Sequence, residues 1–181
     1  MNTIPRQGIK GILVIKLRNI GDVLLTTPTF KALKETFPDA RITAVVPAGT
    51  EEMLTLNPDI SDIVTFKRGA GFRGELDFIR RIRSKKCELA INMTEGDRGA
   101  IIALLSGSRY RIGIDPLGKG LLGKKHLFTH LVRYAYDGRH KAAMDLDVLR
   151  PLGVKDIKPD VQLFTSPNTT TTSTGSCPQT A

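Results

Sequence analysis

Short apolar runs alternate with longer amphipathic stretches along this chain. Residues Gly11 to Lys16 form a β-branched run bounded by glycine and charge, which predicts a buried strand. Leu17 to Gly21 reads as a turn. From Asp22 to Phe37, apolar positions at Val23, Leu24, Phe30, Leu33 and Phe37 recur at helical spacing, and Pro38-Asp39 stops them. Pro28 lies inside that stretch, so a regular helix must kink there or start close to it. Strands are expected at Arg41–Val46, Asp62–Phe66, Glu88–Met93 and Arg109–Ile114. Helices are expected at Thr50–Leu56, Glu75–Lys85, Arg98–Leu105 and Ala142–Leu152, and an extended piece at Val161–Phe164. Strands alternating with helices predict an α/β fold, a Rossmann-like parallel sheet with helices on both faces. Ligands on such sheets bind at the carboxyl ends of strands. Asp22, Arg68, Glu95 and Lys124 follow the first, third, fourth and fifth strands, which suggests one shared cleft.

The periodicity ends at Phe164. Residues 165–181 (TSPNTTTTSTGSCPQTA) carry no charge and no repeat, and are expected to be a disordered tail behind a single domain at 1–164. The chain has 181 residues, 40% of them hydrophobic and none of them Trp, so the core must be mainly aliphatic. Two cysteines, Cys87 and Cys177, suggest neither a disulfide framework nor a metal cluster. The short apolar run at 12–15 is no signal-peptide core, and a cytoplasmic location is expected.

Net charge is +9, unevenly spread. Residues 67–86 and residues 109–141 each hold eight Lys or Arg against two Asp or Glu. Two local excesses of this kind suit a polyanion or an anionic surface, or form a plain solvated basic face.

The first loop, Lys16 to Pro28, holds the most specific chemistry. Gly21 before a helix start lets a ligand approach the backbone, and Asp22 stands where the helix dipole favours a carboxylate. Such a carboxylate is either a helix cap or a base that takes a proton from an attacking hydroxyl. GxGxxG is absent. Gly118 to Lys125 spells GxxxxGK but continues with Lys125, not the Ser or Thr that would hold magnesium, so a flexible basic loop is expected. His126 and His130 have helical metal spacing but no acidic third ligand. Arg139-His140-Lys141 opens the last helix with positive charge that an anionic partner would relieve. Glu95 and Arg98, after the fourth strand, suit a sugar or an ordinary loop equally.

The stretches VIKLRNIGDVLLTTPTFKALKETFPDARI, LNPDISDIV, INMTEGDRGA, SGSRYRIGID, FTHLV and HKAAMDLDVLRPLG together resemble the ADP-heptose:lipopolysaccharide heptosyltransferases, glycosyltransferase family 9, on the heptosyltransferase III-like branch. The resemblance runs from about residue 11 to 164. It implies the N-terminal, acceptor-binding half of a two-domain GT-B enzyme whose C-terminal half binds ADP-heptose. It implies inverting transfer to the lipopolysaccharide inner core with no metal and no cofactor beyond the donor, at the anionic cytoplasmic face of the inner membrane. Asp22 matches the family's base. Arg18, Asn19, Gly21, Thr26, Arg68, Arg73, Glu95, Arg98, Arg139, His140 and Lys141 are the candidate acceptor contacts. With the donor half expected to be missing, the chain alone is expected to transfer no heptose. A non-catalytic basic nucleic-acid-binding domain is the alternative, although stacking aromatics and known nucleic-acid motifs are lacking. A stand-alone small-molecule binder of the same fold lacks the glycine fingerprint.

Overall fold

A computed structural model describes residues 4–115, 123–133, 140–154 and 158–165. Arg139, most of the GxxxxGK loop and residues 166–181, with Cys177, lie outside the described residues.

Six parallel strands form one sheet in the order β3-β2-β1-β4-β5-β6. They are β1 Gly11–Ile15, β2 Arg41–Pro47, β3 Asp62–Phe66, β4 Leu89–Asn92, β5 Tyr110–Ile114 and β6 His130–Val132. The helices are α1 Ile20–Leu24, α2 Thr27–Thr36, α3 Gly71–Ser84, α4 Asp97–Leu105 and α5 Lys141–Leu146. The chain winds outward from β1 through β2 to β3, then returns to lay β4 against the other side of β1. Winding reverses between β1 and β4, and at such a switch point ligands of α/β sheets bind in the crevice beyond the carboxyl ends of the strands.

Alternation along β1 sorts the core into two layers. Ile12 and Val14 face a cluster with Phe30 and Leu33 of α2 and Met144 of α5. Leu13 and Ile15 face a second cluster with Phe78 and Ile82 of α3 and Ala100 and Ala103 of α4. All five β1 residues are buried, the pattern of a central parallel strand. Each fully buried Leu, Ile or Val contributes about 1.5–3 kcal/mol, which is why short strands suffice.

Four expected elements changed shape. The helix expected over Thr50–Leu56 is a single 3-10 turn at Glu51–Met53, with Asn57-Pro58 close behind. The helix expected over 22–37 is two helices, broken at Leu25–Thr26 so that Pro28 falls in the first turn of α2, where no helical N–H is lost. Helix α3 starts at Gly71 rather than Glu75, its Phe78 packed edge-on against Phe66 at 5.3 Å between ring centroids. The last helix is α-helical only over 141–146 and tightens into a 3-10 turn over Asp147–Leu152 that accommodates Pro151. Strand β6 had no counterpart in the periodicity, because three residues are too few to show one.

Candidate active site

The crevice is built from the loops after β1 and β4. Lys16 is one residue past β1, and its amide still donates to the Val45 carbonyl at 2.9 Å, so the strand's alternation carries on. Its side chain therefore points into the α2/α5 layer, where it is 1% exposed. There Lys16 Nζ meets Asp145 Oδ2 at 2.6 Å, and Asp145 is itself fully buried. The other carboxylate oxygen of Asp145 takes Lys141 Nζ at 2.9 Å. Burial pushes Lys16 below the ordinary lysine value despite the attraction of Asp145; Asp22 adds a further attractive charge.

Asp22 sits in the first turn of α1, its side chain 20% exposed, with Arg18 Nε at 3.5 Å from Oδ2. The helix-cap reading is corrected here. Asn19 occupies the cap position, and no side-chain hydrogen bond caps the helix. The Asp22 carboxylate is therefore not spent on the helix end; it pairs with Arg18 and is partly exposed. Gly21 has open space around the position of a Cβ, so packing within the described residues does not require glycine there.

The β4 loop is tied to the β1 loop. Asn92 Nδ2 donates to the Thr94 carbonyl at 2.9 Å, and the Thr94 amide donates back to Asn92 Oδ1 at 3.1 Å. Thr94 Oγ1 then accepts the Leu17 amide at 2.8 Å. Gly99 makes room for this bracket, since a Cβ there would collide with Asn92 Oδ1. Glu95 is exposed beyond the bracket, on the same edge as Asp22.

The other expected site residues divide. His140 caps α5, its Nδ1 accepting the Ala142 amide at 3.3 Å, so the described part of the Arg139-His140-Lys141 cluster approaches the crevice through α5. Arg98 leans away: Nη1 bonds Glu75 Oε1 at 2.7 Å and the guanidinium covers the Phe66 ring at 4.7 Å. Thr26 is sealed inside, its hydroxyl donating to the Val23 carbonyl at 2.5 Å, a bond that terminates α1. Arg68 and Arg73 follow β3, two strands and roughly 10 Å of sheet from β1. The single cleft expected for Asp22, Arg68, Glu95 and Lys124 is thus corrected. Asp22 and Glu95 follow the adjacent strands β1 and β4, and Arg68 follows β3, two strands from β1. Lys124 opens a 3-10 turn that leads into the start of β6, toward the opposite end of the strands. His126 belongs to that turn and His130 to β6, so they do not form a helical pair. Burial pushes the Cys87 thiol up to about 11, which leaves it a core side chain rather than a nucleophile.

The sequence reading missed the Lys16–Asp145 pair. One signal was present: a lysine closing a wholly apolar strand, and an acid amid apolar residues on a helix 129 positions later. Two further concave spaces, of about 310 and 210 Å³, flank β3 on either side and lie off the crevice.

No family model matches the chain. It is 32% identical over 146 residues to lipopolysaccharide heptosyltransferase 3 of Escherichia coli, a match covering 78% of this chain and 42% of that protein. With the strain K12 protein of the same name the match is 32% over 153 residues, 81% of this chain and 44% of the relative. Among solved structures, a glycosyl transferase family 9 protein from Veillonella parvula superposes with a TM-score of 0.68 at 25% identity, over 81% of this chain and 42% of that one. The Escherichia coli heptosyltransferase WaaC with ADP-2-deoxy-2-fluoro heptose superposes with a TM-score of 0.70 at 18% identity, over 83% and 51%. The chain spans a little under half the length of the curated relatives it matches. Over that span, sequence and fold agree that the chain belongs to the lipopolysaccharide heptosyltransferases of glycosyltransferase family 9.

Proposed function

We propose that this chain supplies the acceptor side of an inverting heptosyl transfer, with Asp22 as general base. The observation that carries the reading is the part-exposed carboxylate of Asp22, not spent on capping α1, at the switch-point edge of the sheet. Asp22 takes the proton of an acceptor hydroxyl. The freed oxygen attacks the anomeric carbon of ADP-heptose, whose bond to the phosphate oxygen breaks, and ADP leaves with the electron pair. No metal or cofactor beyond the donor is needed for this step. Arg18, Asn19, Glu95, His140 and Lys141 are the candidate contacts nearest to the acceptor; Arg139 lies outside the described residues. Arg68 and Arg73 stand further out, where they suit distant anionic groups of an extended lipopolysaccharide core, since guanidinium forks grip carboxylate and phosphate. The acceptor is membrane-anchored, so the protein works peripherally at the cytoplasmic face of the inner membrane. Among the described residues, no helix is long and apolar enough to cross a membrane.

A general base contributes about 10²–10⁴ in rate. Joined to a donor-binding half, the chain is expected to transfer heptose from ADP-heptose to core oligosaccharide. Asp22→Asn should cut kcat at least about a hundredfold without moving the melting temperature. Unchanged transfer in that variant removes Asp22 from the mechanism. The 181-residue chain by itself is expected to give no transfer, and turnover by the purified chain would overturn the division of labour proposed here.

A further inference from the structure

The two basic segments have different fates in the fold. In the second, Arg111 bonds the carbonyls of Leu127 and Ser108, Arg133 pairs with Asp115, and Lys141 pairs with Asp145. In the first, Lys85 pairs with Asp62, and four of the eight cations, Arg73, Arg80, Arg81 and Arg83, are exposed on α3. Its two acids, Glu75 and Asp77, are held by Arg98 and Arg80.

The outer side of α3 also carries apolar groups the core does not use. Phe72 is 83% exposed, and Leu76, one turn on, is 39% exposed. On α4, Ile101 and Leu105 are 40% and 41% exposed, again one turn apart. The Glu75–Arg98 bond, 2.7 Å long, holds the two helices side by side and fixes which flanks adjoin. Phe72 and Leu76 fall at helical spacing on the flank of α3 that carries Glu75, next to Ile79, which is half-buried against the second core cluster. Ile101 and Leu105 fall likewise on the flank of α4 that carries Arg98. The apolar groups therefore form one strip between the helices, flanked by Arg80 and Arg83 of α3. A contiguous exposed apolar strip marks an interaction surface. Its upper end, Phe72, lies at the same edge of the sheet as Asp22, because α3 starts just beyond the carboxyl end of β3.

We infer that this α3/α4 strip is the surface by which the chain docks on an anionic lipid bilayer, Phe72 entering the interface while Arg80 and Arg83 meet the headgroups. Charge complementarity selects the occupant: apolar groups beside excess arginine fit a negatively charged bilayer. The inference rests on the proposal that the acceptor is membrane-anchored, and it identifies the face that turns to the membrane.

The chain contains no Trp, so Phe72→Trp places a single fluorescent reporter on the strip. Leu56→Trp is the control: Leu56 is 51% exposed and lies just past Leu54, which belongs to the opposite core layer. With vesicles of phosphatidylcholine containing phosphatidylglycerol, the emission of the Phe72→Trp variant should shift to the blue and become shielded from acrylamide. The Leu56→Trp variant should stay solvent-like. Vesicles of phosphatidylcholine alone should leave both unchanged. Arg80→Gln and Arg83→Gln should each weaken binding about fivefold, and added salt should do the same. If the Phe72→Trp variant sediments with anionic vesicles while its emission does not respond, the strip is not the docking face, although peripheral association stands. An equal response on neutral vesicles, or a blue shift that grows with protein concentration and no lipid, overturns the inference. The latter would show that a second copy covers the strip.

Discussion

Two ion pairs in this molecule each join a basic side chain to an aspartate and differ in almost every other respect. Lys16 and Asp145 meet at 2.6 Å with side chains 2% and 0% exposed. Arg80 and Asp77 meet at 3.2 Å with both side chains 68% exposed. The first joins residues 129 positions apart and pins α5 under the loop after β1. The second joins neighbours on one helix turn and pins nothing. An exposed pair keeps its water and gives back little when formed, whereas a buried pair has surrendered its hydration and depends on its partner. Buried charge therefore sets the geometry of the crevice, and exposed charge is left over for binding.

The largest expected effect follows from removing one member of the buried pair. Lys16→Met leaves Asp145 inside the fold without its closest cation, while Lys141, whose side chain is 31% exposed, stays on its other oxygen. Breaking a buried pair in this way costs about 3–5 kcal/mol, measurable by urea denaturation. The double change Lys16→Met with Asp145→Leu should recover most of the loss, because neither buried charge then remains. A loss below about 1 kcal/mol in the single variant would mean that Asp145 is satisfied without Lys16, and the two pairs would no longer contrast. The pH dependence has a definite sign. Folding holds Lys16 below its ordinary value of 10.5, so between those values the unfolded chain binds more protons. The Lys16 contribution thus becomes more favourable as pH rises through that window, and the stability gap between wild type and Lys16→Met should widen.

The next effect comes from a position where the sequence is informative without being decisive. The Gly-containing loop after the fourth strand is legible as a strand-end loop, yet nothing local tells that Asn92 folds back on Thr94. That bracket depends on Gly99, seven residues on, and Gly99→Ala would drive a Cβ into Asn92 Oδ1. Asn92 is 1% exposed and committed to two hydrogen bonds, so it has no cheap escape. A loss of about 1–3 kcal/mol is expected in urea denaturation, as for overpacking elsewhere. An Ala variant as stable as wild type would show that the bracket is dispensable.

The same logic explains what can be read in advance. The central strands are legible as short apolar runs bounded by turn residues, and most helices because burial of one face imposes a period on the residues that make it. The break at Leu25–Thr26 is half legible, since Pro28 requires a helix start near itself. Asp22 is legible as a candidate base, but a cap role for it fails because the helix begins at Ile20, and Asn19 takes that position. Strand β6 and the Lys16–Asp145 pair are not legible. One is too short to show a period, and the other is a contact between distant segments that only the closed sheet creates.

The smallest expected effect is the most discriminating for the surface. Asp77→Ala removes the exposed partner of Arg80 and should change stability by less than about 1 kcal/mol, within the range of exposed pairs on helices. It also removes one negative charge from the outer side of α3. If that face meets anionic lipid, the variant should bind phosphatidylglycerol vesicles more tightly than wild type, and the gain should vanish at high salt. Lys16→Met should show the reverse pattern, a large loss of stability and, under folding conditions, unchanged vesicle binding. A variant of Asp77 that loses several kcal/mol, or one whose vesicle binding does not respond, would break the separation between charge that builds the crevice and charge that faces the membrane.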